Sequence, residues 1–409
     1  MSLLSHLFTR VISYGRLTVI HADGHTAAYG PGNGPAVTIR VHDAKTERNL
    51  PFNPRLLIGE AYMDGRLTIE DGNLYDLLDI LSTSANTLER NFFLDLAYRL
   101  QVLLRRFAQY NPVSRAQANV QPHYDLSDQL YDLFLDSDRQ YSCAYFRTDN
   151  DTLEVAQDNK KRHIAAKLLL KPGCTVLDIG SGWGGLGMYL AKVGAGRVTG
   201  VTLSTEQHKV SNERAQAAGL GDRVRFDLRD YREQTGTFDR VVSVGMFEHV
   251  GVNHYRTFFE KVRDLLTDDG VALLHTIGRS DGAGATNPWI RKYIFPGGYS
   301  PALSEVLPII ERSGLFVTDI EVLRLHYAET LREWRLRFNQ HRERIRAIYD
   351  ERFCRMWEFY LIGSELAFRS QGHVVFQIQL AKKVDTVPMT RDYIQDWERA
   401  HAGLANLAT

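Results

Sequence analysis

The sequence predicts a doubly wound, mainly parallel α/β sheet of about seven strands with helical insertions, preceded by a small α+β domain. Three observations carry this. From Cys174 onward, short β-branched runs alternate with helical stretches. The first of these runs leads straight into a glycine-rich turn. Residues before about 115 follow another pattern, in which short β-like runs and turn signals precede a helix.

Within residues 1–110, Gly34 to Val41 reads as a strand and DGNLYDLLDIL as a helix capped by Asp71 or Asn73. This segment is expected to form a separate domain that contacts a membrane or a partner. NPVSRAQANVQP, residues 111–122, is polar, carries two prolines and lacks apolar periodicity, so it reads as a linker. The larger domain, residues 123–385, has predicted strands at Cys174 to Ile179, Arg197 to Leu203, Val224 to Leu228, Phe238 to Val244, Val271 to Ile277, Phe316 to Leu323 and Val374 to Leu380. Early connections of about 10 to 15 helical residues suit βαβ units. Later, residues 279–314 and 325–372 insert irregular and long helical material, as a substrate-covering lid would. Residues 386–409 read as a C-terminal tail, and there is no internal repeat.

The 409 residues are 44% hydrophobic and 24% charged, which excludes disordered, collagen-like and disulfide-stapled classes. With 49 basic and 49 acidic side chains there is no whole-protein attraction to nucleic acid, and none is expected as a partner. Cys143, Cys174 and Cys354 never fall in a CxxC spacing, so neither a disulfide framework nor a metal site is expected, and a reducing compartment fits best. MSLLSHLFTRVISYG is broken by His6, Arg10 and Tyr14 before a signal-peptide core develops, and no apolar run approaches the roughly 18 residues that cross a bilayer. A soluble, cytoplasmic protein is therefore expected.

Charge is unevenly spread. Arg90, Arg99, Arg105, Arg106 and Arg115 face a single acid, Asp95, and between Arg332 and Glu358 eight arginines face five acids among aromatic residues. Two readings stand: solvated helix faces whose arginine stems lie over a core, or contact with an anionic membrane surface, where each nearby basic residue contributes about 1 kcal/mol.

In LDIGSGWGG, residues 177–185, Gly180, Gly182 and Gly185 match GxGxxG, which alone is a weak signal. Glycines let the backbone turn tightly and approach a ligand, and the following helix offers free N–H groups. A dinucleotide enzyme needs an acid near the end of the second strand, and Val201-Thr202-Leu203-Ser204 has none, so a nicotinamide cofactor is the weaker reading. Asp178 instead precedes the first glycine by two residues. There a carboxylate attracts a cationic ligand or ties down the turn's own N–H groups. Its placement resembles the first motif of S-adenosylmethionine-dependent methyltransferases. Ser204 and Gln207 fit a capping box, and Gln207 also stands where its amide would reach ribose hydroxyls. Asp230-Tyr231 reads as an adenine-side wall or as core.

Open α/β sheets bind ligands outside the carboxyl ends of their strands. The fourth predicted strand ends in Gly245-Met246-Phe247-Glu248-His249 and the fifth carries Leu274-His275-Thr276-Ile277-Gly278. Singly, Glu248 reads as a helix cap and His275 as a bonded core residue; together at neighbouring strand ends they indicate a polar pocket. Cys143, in YSCAYF (141–146), reads singly as a buried small apolar residue.

His123-Tyr124-Asp125, YSCAYF, LDIGSGWGG, Thr202-Leu203-Ser204, FEHVG (247–251), HTIG (275–278), YIFPGG (293–298) and Tyr327 followed by Thr330-Leu331 occur in one order. In that ordered combination the chain resembles the cyclopropane-fatty-acid synthases, and GEAYMDGRLTIEDGNLYDLL (59–78) resembles the N-terminal domain of the longer bacterial members. The resemblance implies a Rossmann-like methyltransferase sheet and transfer of a methylene from S-adenosylmethionine to the cis double bond of unsaturated acyl chains in membrane phospholipids. It places Cys143, Glu248, His275, the backbone of Ile277 and Tyr327 around a bicarbonate ion that serves as general base. It sets Tyr141, Ser142, Asp178, Gly180, Gly182, Thr202, Ser204, Gln207, Asp230 and Tyr231 against the cofactor. Peripheral association with the inner face of the membrane and a homodimer are expected.

The chemistry makes sense of this inventory. An alkene attacking a sulfonium methyl leaves carbocation character on the chain, and the ring closes only if a base then takes a proton from the transferred methyl. Water would trap the cation, so the site should be dry and lined by aromatics, with Tyr145, Phe146 and Phe295 as candidates. Ser127-Asp128 stands where the family usually has Gly-Asn, and Ser181 where Cys is common. Two other readings remain: an acyl C-methyltransferase that leaves a methyl branch without closing a ring, and a non-catalytic lipid-binding protein on the same fold.

Overall fold

A computed structural model describes residues 2–88 and 127–403. The expected linker at 111–122, the arginines from Arg90 to Arg115, the His123-Tyr124-Asp125 motif and residues 404–409 lie outside the described residues. The chain divides into two compact units.

The first unit combines the described part of Met1–Arg105 with Ala285–Pro296 and Leu331–His373. Its strands β1 (Arg16–Ile20), β2 (Thr26–Tyr29), β3 (Ala36–Val41) and β4 (Leu67–Asp71) form a sheet in the order β2-β1-β3-β4. β1 runs parallel to β3 and antiparallel to β2. The strand period of two turns Leu17 and Val19, with Val37, Ile39 and Val41, into one core that Leu4, Phe8, Leu77 and Ile80 complete. Asn73, not Asp71, caps the predicted helix, now Leu74–Leu88: its Oδ1 accepts from Asp76 N at 2.9 Å.

The inserted segments are not simply a lid within the larger domain. Much of them belongs to this first unit, because their apolar faces find partners there. Ile362 and Leu366 join its core, and Trp289 packs so tightly on the helix Pro54–Met63 that a Cβ on Gly59 would lie 2.5 Å from its Nε1. The arginines after residue 331 are largely paired within the first unit, Arg342 with Glu351 at 2.8 Å, Arg346 with Glu343 at 2.6 Å and Arg352 with Asp64 at 2.9 Å. Trp334, Phe338 and Trp357 are buried beside them. For this stretch the solvated-face reading fits.

The second unit holds the predicted doubly wound sheet. Its strands are β5 (Thr175–Ile179), β6 (Arg197–Thr202), β7 (Val224–Leu228), β8 (Phe238–Val244), β9 (Leu266–Arg279), β10 (Phe316–Leu323) and β11 (His373–Ala381), in the order β10-β11-β9-β8-β5-β6-β7. β5 pairs in parallel with both β6 and β8, β6 with β7 and β8 with β9, while β10 and β11 are antiparallel. Central strands of such a sheet are covered on both faces, which is why Val176, Leu177, Val241, Val242 and Val271 to Leu274 read as apolar runs, broken in β5 only by Asp178. The chain winds outward from β5 through β6 to β7, then returns to β8 on β5's other side. That reversal opens a crevice at the carboxyl ends of β5 and β8.

Candidate active site

The glycine turn leaves β5 at the crevice. Gly180 has φ +83°, and a Cβ there would lie 2.7 Å from Met246 Cβ, so the turn closes only with glycine. Gly182 is also left-handed, at φ +54°, but faces open space, which leaves room for a ligand against bare backbone. Nine of the ten residues expected against the cofactor line the resulting cleft: Tyr141, Ser142, Asp178, Gly180, Gly182, Thr202, Gln207, Asp230 and Tyr231.

Ser204, the tenth, does not line the cleft; its Oγ accepts from Gln207 N at 3.3 Å and caps the helix Thr205–Ala217. The reciprocal half of the capping box is absent, because the Gln207 Oε1 accepts instead from Thr202 Oγ1 at 3.1 Å. Asp230 is engaged by Arg232, accepting from Nε at 2.9 Å and Nη2 at 2.6 Å. Tyr231 stands edge-on to Phe258 with ring centroids 5.4 Å apart, so it is both cleft wall and core.

Asp178 is buried and its Oδ2 has no hydrogen-bond partner. Burial pushes its carboxyl up to about 7, against the opposing pull of the Lys160 ammonium. An orphaned buried acceptor is rare in native proteins and calls for a missing donor or cation. A sulfonium nucleoside carrying an amino group fits both that demand and the open glycine turn.

Beyond β8, Glu248 Oε1 accepts from Ile277 N at 2.6 Å, while the buried Oε2 has no partner. The Ile277 N–H, expected to hold an ion directly, is thus already taken by Glu248, because the short helical turn Phe247–His249 carries that carboxyl against the end of β9. Burial pushes the Glu248 carboxyl up to about 7. His275 sits on β9 opposite Val244, and its carbonyl accepts from Gly245 N at 3.0 Å. Burial drives its imidazole down to about 3, so the ring is neutral; Nδ1 lies 3.2 Å from Gln377 Nε2, and Nε2 has no partner.

Cys143 is buried and its Sγ donates to Ala144 O at 3.3 Å; burial raises the thiol, which therefore stays protonated. Its segment is tied to the helix that bears Tyr327. Ala144 N donates to Thr330 Oγ1 at 3.0 Å and Phe146 N to His326 Nδ1 at 3.1 Å. A Cβ on Gly245 would lie 3.9 Å from Ser142 Cβ, so the same segment abuts the end of β8. The four segments carrying Cys143, Glu248, His275 and Tyr327 therefore meet at one end of the sheet. Of the aromatic candidates, Tyr145 is stacked between His163 at 4.3 Å and His326 at 4.7 Å, whereas Phe295 lies in the first unit against Tyr360.

Several supporting residues escape the sequence reading. The helix Leu153–Lys167 contains QDNKKRH and looks solvated, yet Gln157, Lys160, Lys161, His163 and Lys167 are buried. Lys160 Nζ donates to Gln140 Oε1 at 2.7 Å and Ser142 Oγ at 2.8 Å, and Gln157 Nε2 holds the Gln140 and Ser142 carbonyls at 3.1 and 3.0 Å. These bonds set the irregular segment Arg139 to Ser142 that lines the cleft. The available signal was a helix with polar residues on every face, which cannot be amphipathic and so needs partners on more than one side. Gln140, Met246 and His249 also line the cleft.

Fold, glycine turn and orphaned carboxylate are those of an S-adenosylmethionine-dependent methyltransferase. More narrowly, the chain belongs to the mycolic acid cyclopropane synthetase family, which matches residues 112–378. Residues 3–92 match a domain of unknown function, DUF7884. The chain is 38% identical over 354 residues to the cyclopropane-fatty-acyl-phospholipid synthase of Escherichia coli K12, covering 87% of this chain and 90% of that one. It is 35% identical over 399 residues to the tuberculostearic acid methyltransferase UfaA1 of Mycobacterium tuberculosis, covering 93% and 91%. The structure of mycolic acid cyclopropane synthase CmaA1 complexed with SAH and CTAB superposes with a TM-score of 0.61 at 34% identity, covering 66% of this chain and 99% of that one.

Proposed function

We propose that the protein is a cyclopropane-fatty-acyl-phospholipid synthase, transferring a methylene from S-adenosylmethionine to the cis double bond of unsaturated acyl chains in membrane phospholipids. The observation that carries this is the pair of buried, unpartnered atoms Glu248 Oε2 and His275 Nε2 at neighbouring strand ends beside the cofactor cleft. Relatives include both a synthase and a methyltransferase, and what separates those outcomes chemically is a proton acceptor for the transferred methyl.

His275 and Tyr327 would hold a bicarbonate ion by donating to it, Cys143 would join them by turning its S–H from the Ala144 carbonyl to the ion, and Glu248 would orient it. When bound, that ion supplies a proton acceptor without admitting bulk water. The chain's own residues prepare the place. Burial keeps His275 neutral and Cys143 a thiol, so neither is a thiolate or a second charge in the recess. The Ile277 N–H pins one oxygen of Glu248 and leaves the other to face the ion. Asp178, buried beside the glycine turn, would pair with the positive end of the cofactor. No helix among the described residues is long and apolar enough to cross a membrane, which suits peripheral attachment at the inner face, in our reading as a homodimer.

The test is lipid analysis of cells expressing the protein, with an olefin-specific derivatisation to separate a cyclopropane from a methyl-branched alkene of equal mass. Phospholipid chains heavier by one methylene that no longer react with the reagent are expected. Continued reactivity would make the product a methyl branch, and vesicle binding without S-adenosylhomocysteine release would make the protein a binding module.

A further inference from the structure

We propose that Gln377 is a positioning residue that holds His275 as its Nε2–H tautomer, so that the ring meets the anion recess as a hydrogen-bond donor. This deepens the reading above and rests on it in one respect, that an anion occupies the recess.

β11 is buried along almost its whole length, and two glutamines interrupt its apolar run. Burying an amide is costly unless it is bonded. Gln379 is fully used: its Nε2 donates to Lys167 O and to Tyr393 Oη, and its Oε1 accepts from Thr318 at 2.8 Å. Gln377, equally buried, has one partner, the Nδ1 of His275 at 3.2 Å, and its Oε1 is unpartnered. A leucine or valine would pack there more cheaply, so the amide's contribution lies in that single bond.

A carboxamide nitrogen only donates, so the Nδ1 facing it must be the acceptor, and a neutral imidazole then carries its proton on Nε2. Burial excludes the doubly protonated ring, and the nearby Lys160 and Lys167 ammonium groups act in the same direction. The other tautomer would point an unprotonated Nε2 at an anion and leave the Gln377 N–H facing an Nδ1–H. Imidazoles that ligate metals are likewise fixed through their other nitrogen, there with that nitrogen donating rather than accepting.

The tautomer is read directly by two-bond ¹⁵N–¹H correlation spectra of histidine-labelled enzyme, with His275 assigned by its loss in His275→Gln. The wild-type ring is expected to carry its proton on Nε2. In Gln377→Glu the carboxylate should draw the proton to Nδ1, and the bicarbonate concentration for half-maximal S-adenosylhomocysteine release should rise roughly 10–100-fold, by analogy with the loss of the partner of a metal-ligating imidazole. Gln377→Met, which neither donates nor accepts well, should keep the fold and fall between the two. A wild-type ring protonated on Nδ1, or a Gln377→Glu enzyme with unchanged tautomer and bicarbonate requirement, overturns the proposal. If the wild-type enzyme needs no bicarbonate, the anion reading fails, while the spectra still decide the role of Gln377.

Discussion

Asp178 and Glu248 are both buried, and this has a measurable consequence. Their ordinary values are 3.8 and 4.5, and burial pushes each up to about 7. Between those limits the folded chain keeps protons that the unfolded chain has released, so stability falls as pH rises through this window and levels off above it. Melting temperatures of the apo-protein should therefore decline from about pH 5 to about pH 7, and Asp178→Asn should flatten the decline. A slope unchanged in that variant would mean that Asp178 is solvated. Glu248→Gln keeps an oxygen for the Ile277 N–H but replaces the free carboxyl oxygen with an amide. Turnover should drop roughly 10–100-fold while circular dichroism stays native, and near-normal turnover would remove Glu248 from the site.

The strands of the second unit were legible because the core of each is a short β-branched run, and a strand's pattern depends on neighbours only through burial; of the first unit's four strands only β3 was legible. The polar helix 153–167 was not legible, since its partners, Gln140, Ser142, Asp138, Glu321 and Glu398, come from three other places in the chain. The capping box shows the same limit on a smaller scale: Ser204 caps as its position dictates, but Gln207 turns to Thr202 once the end of β6 is beside it. Packing at strand ends is equally tight. A Cβ on Gly278 would lie 2.1 Å from Phe376 Cε2 and 2.8 Å from Pro301 O. Gly278→Ala should therefore cost about 1–3 kcal/mol, read as a lower denaturant midpoint, and displace the end of β9 that carries His275 and Ile277. Wild-type stability in this variant would show that the loop yields freely.

Across the whole molecule, 49 basic and 49 acidic side chains cancel, so any attraction to a membrane must come from local clusters. The cluster after Arg332 is largely spent on ion pairs with its own neighbours, which leaves Arg90, Arg99, Arg105, Arg106 and Arg115 as the better source of attraction to anionic lipid. Replacing these five by glutamine should weaken sedimentation with anionic vesicles, and more so at low salt, where screening is least. Equal binding by the variant at low salt would leave the cluster a solvated surface. The two compact units likewise exceed what a linear reading provides. A contiguous small domain was expected, but the chain returns twice to build the first unit.

By itself the sequence determined what is local or periodic: the parallel sheet, the left-handed glycines of the cofactor turn, the carboxylate before them, and the polar groups at the ends of β8 and β9. Those follow from backbone sterics and from alternation of burial, which each residue carries with it. Tertiary structure alone decided which buried polar atoms are satisfied and which are left open. Hydrogen-bond partners such as Gln377 for His275, or Lys160 for Ser142, lie far along the chain, and only folding brings them within reach.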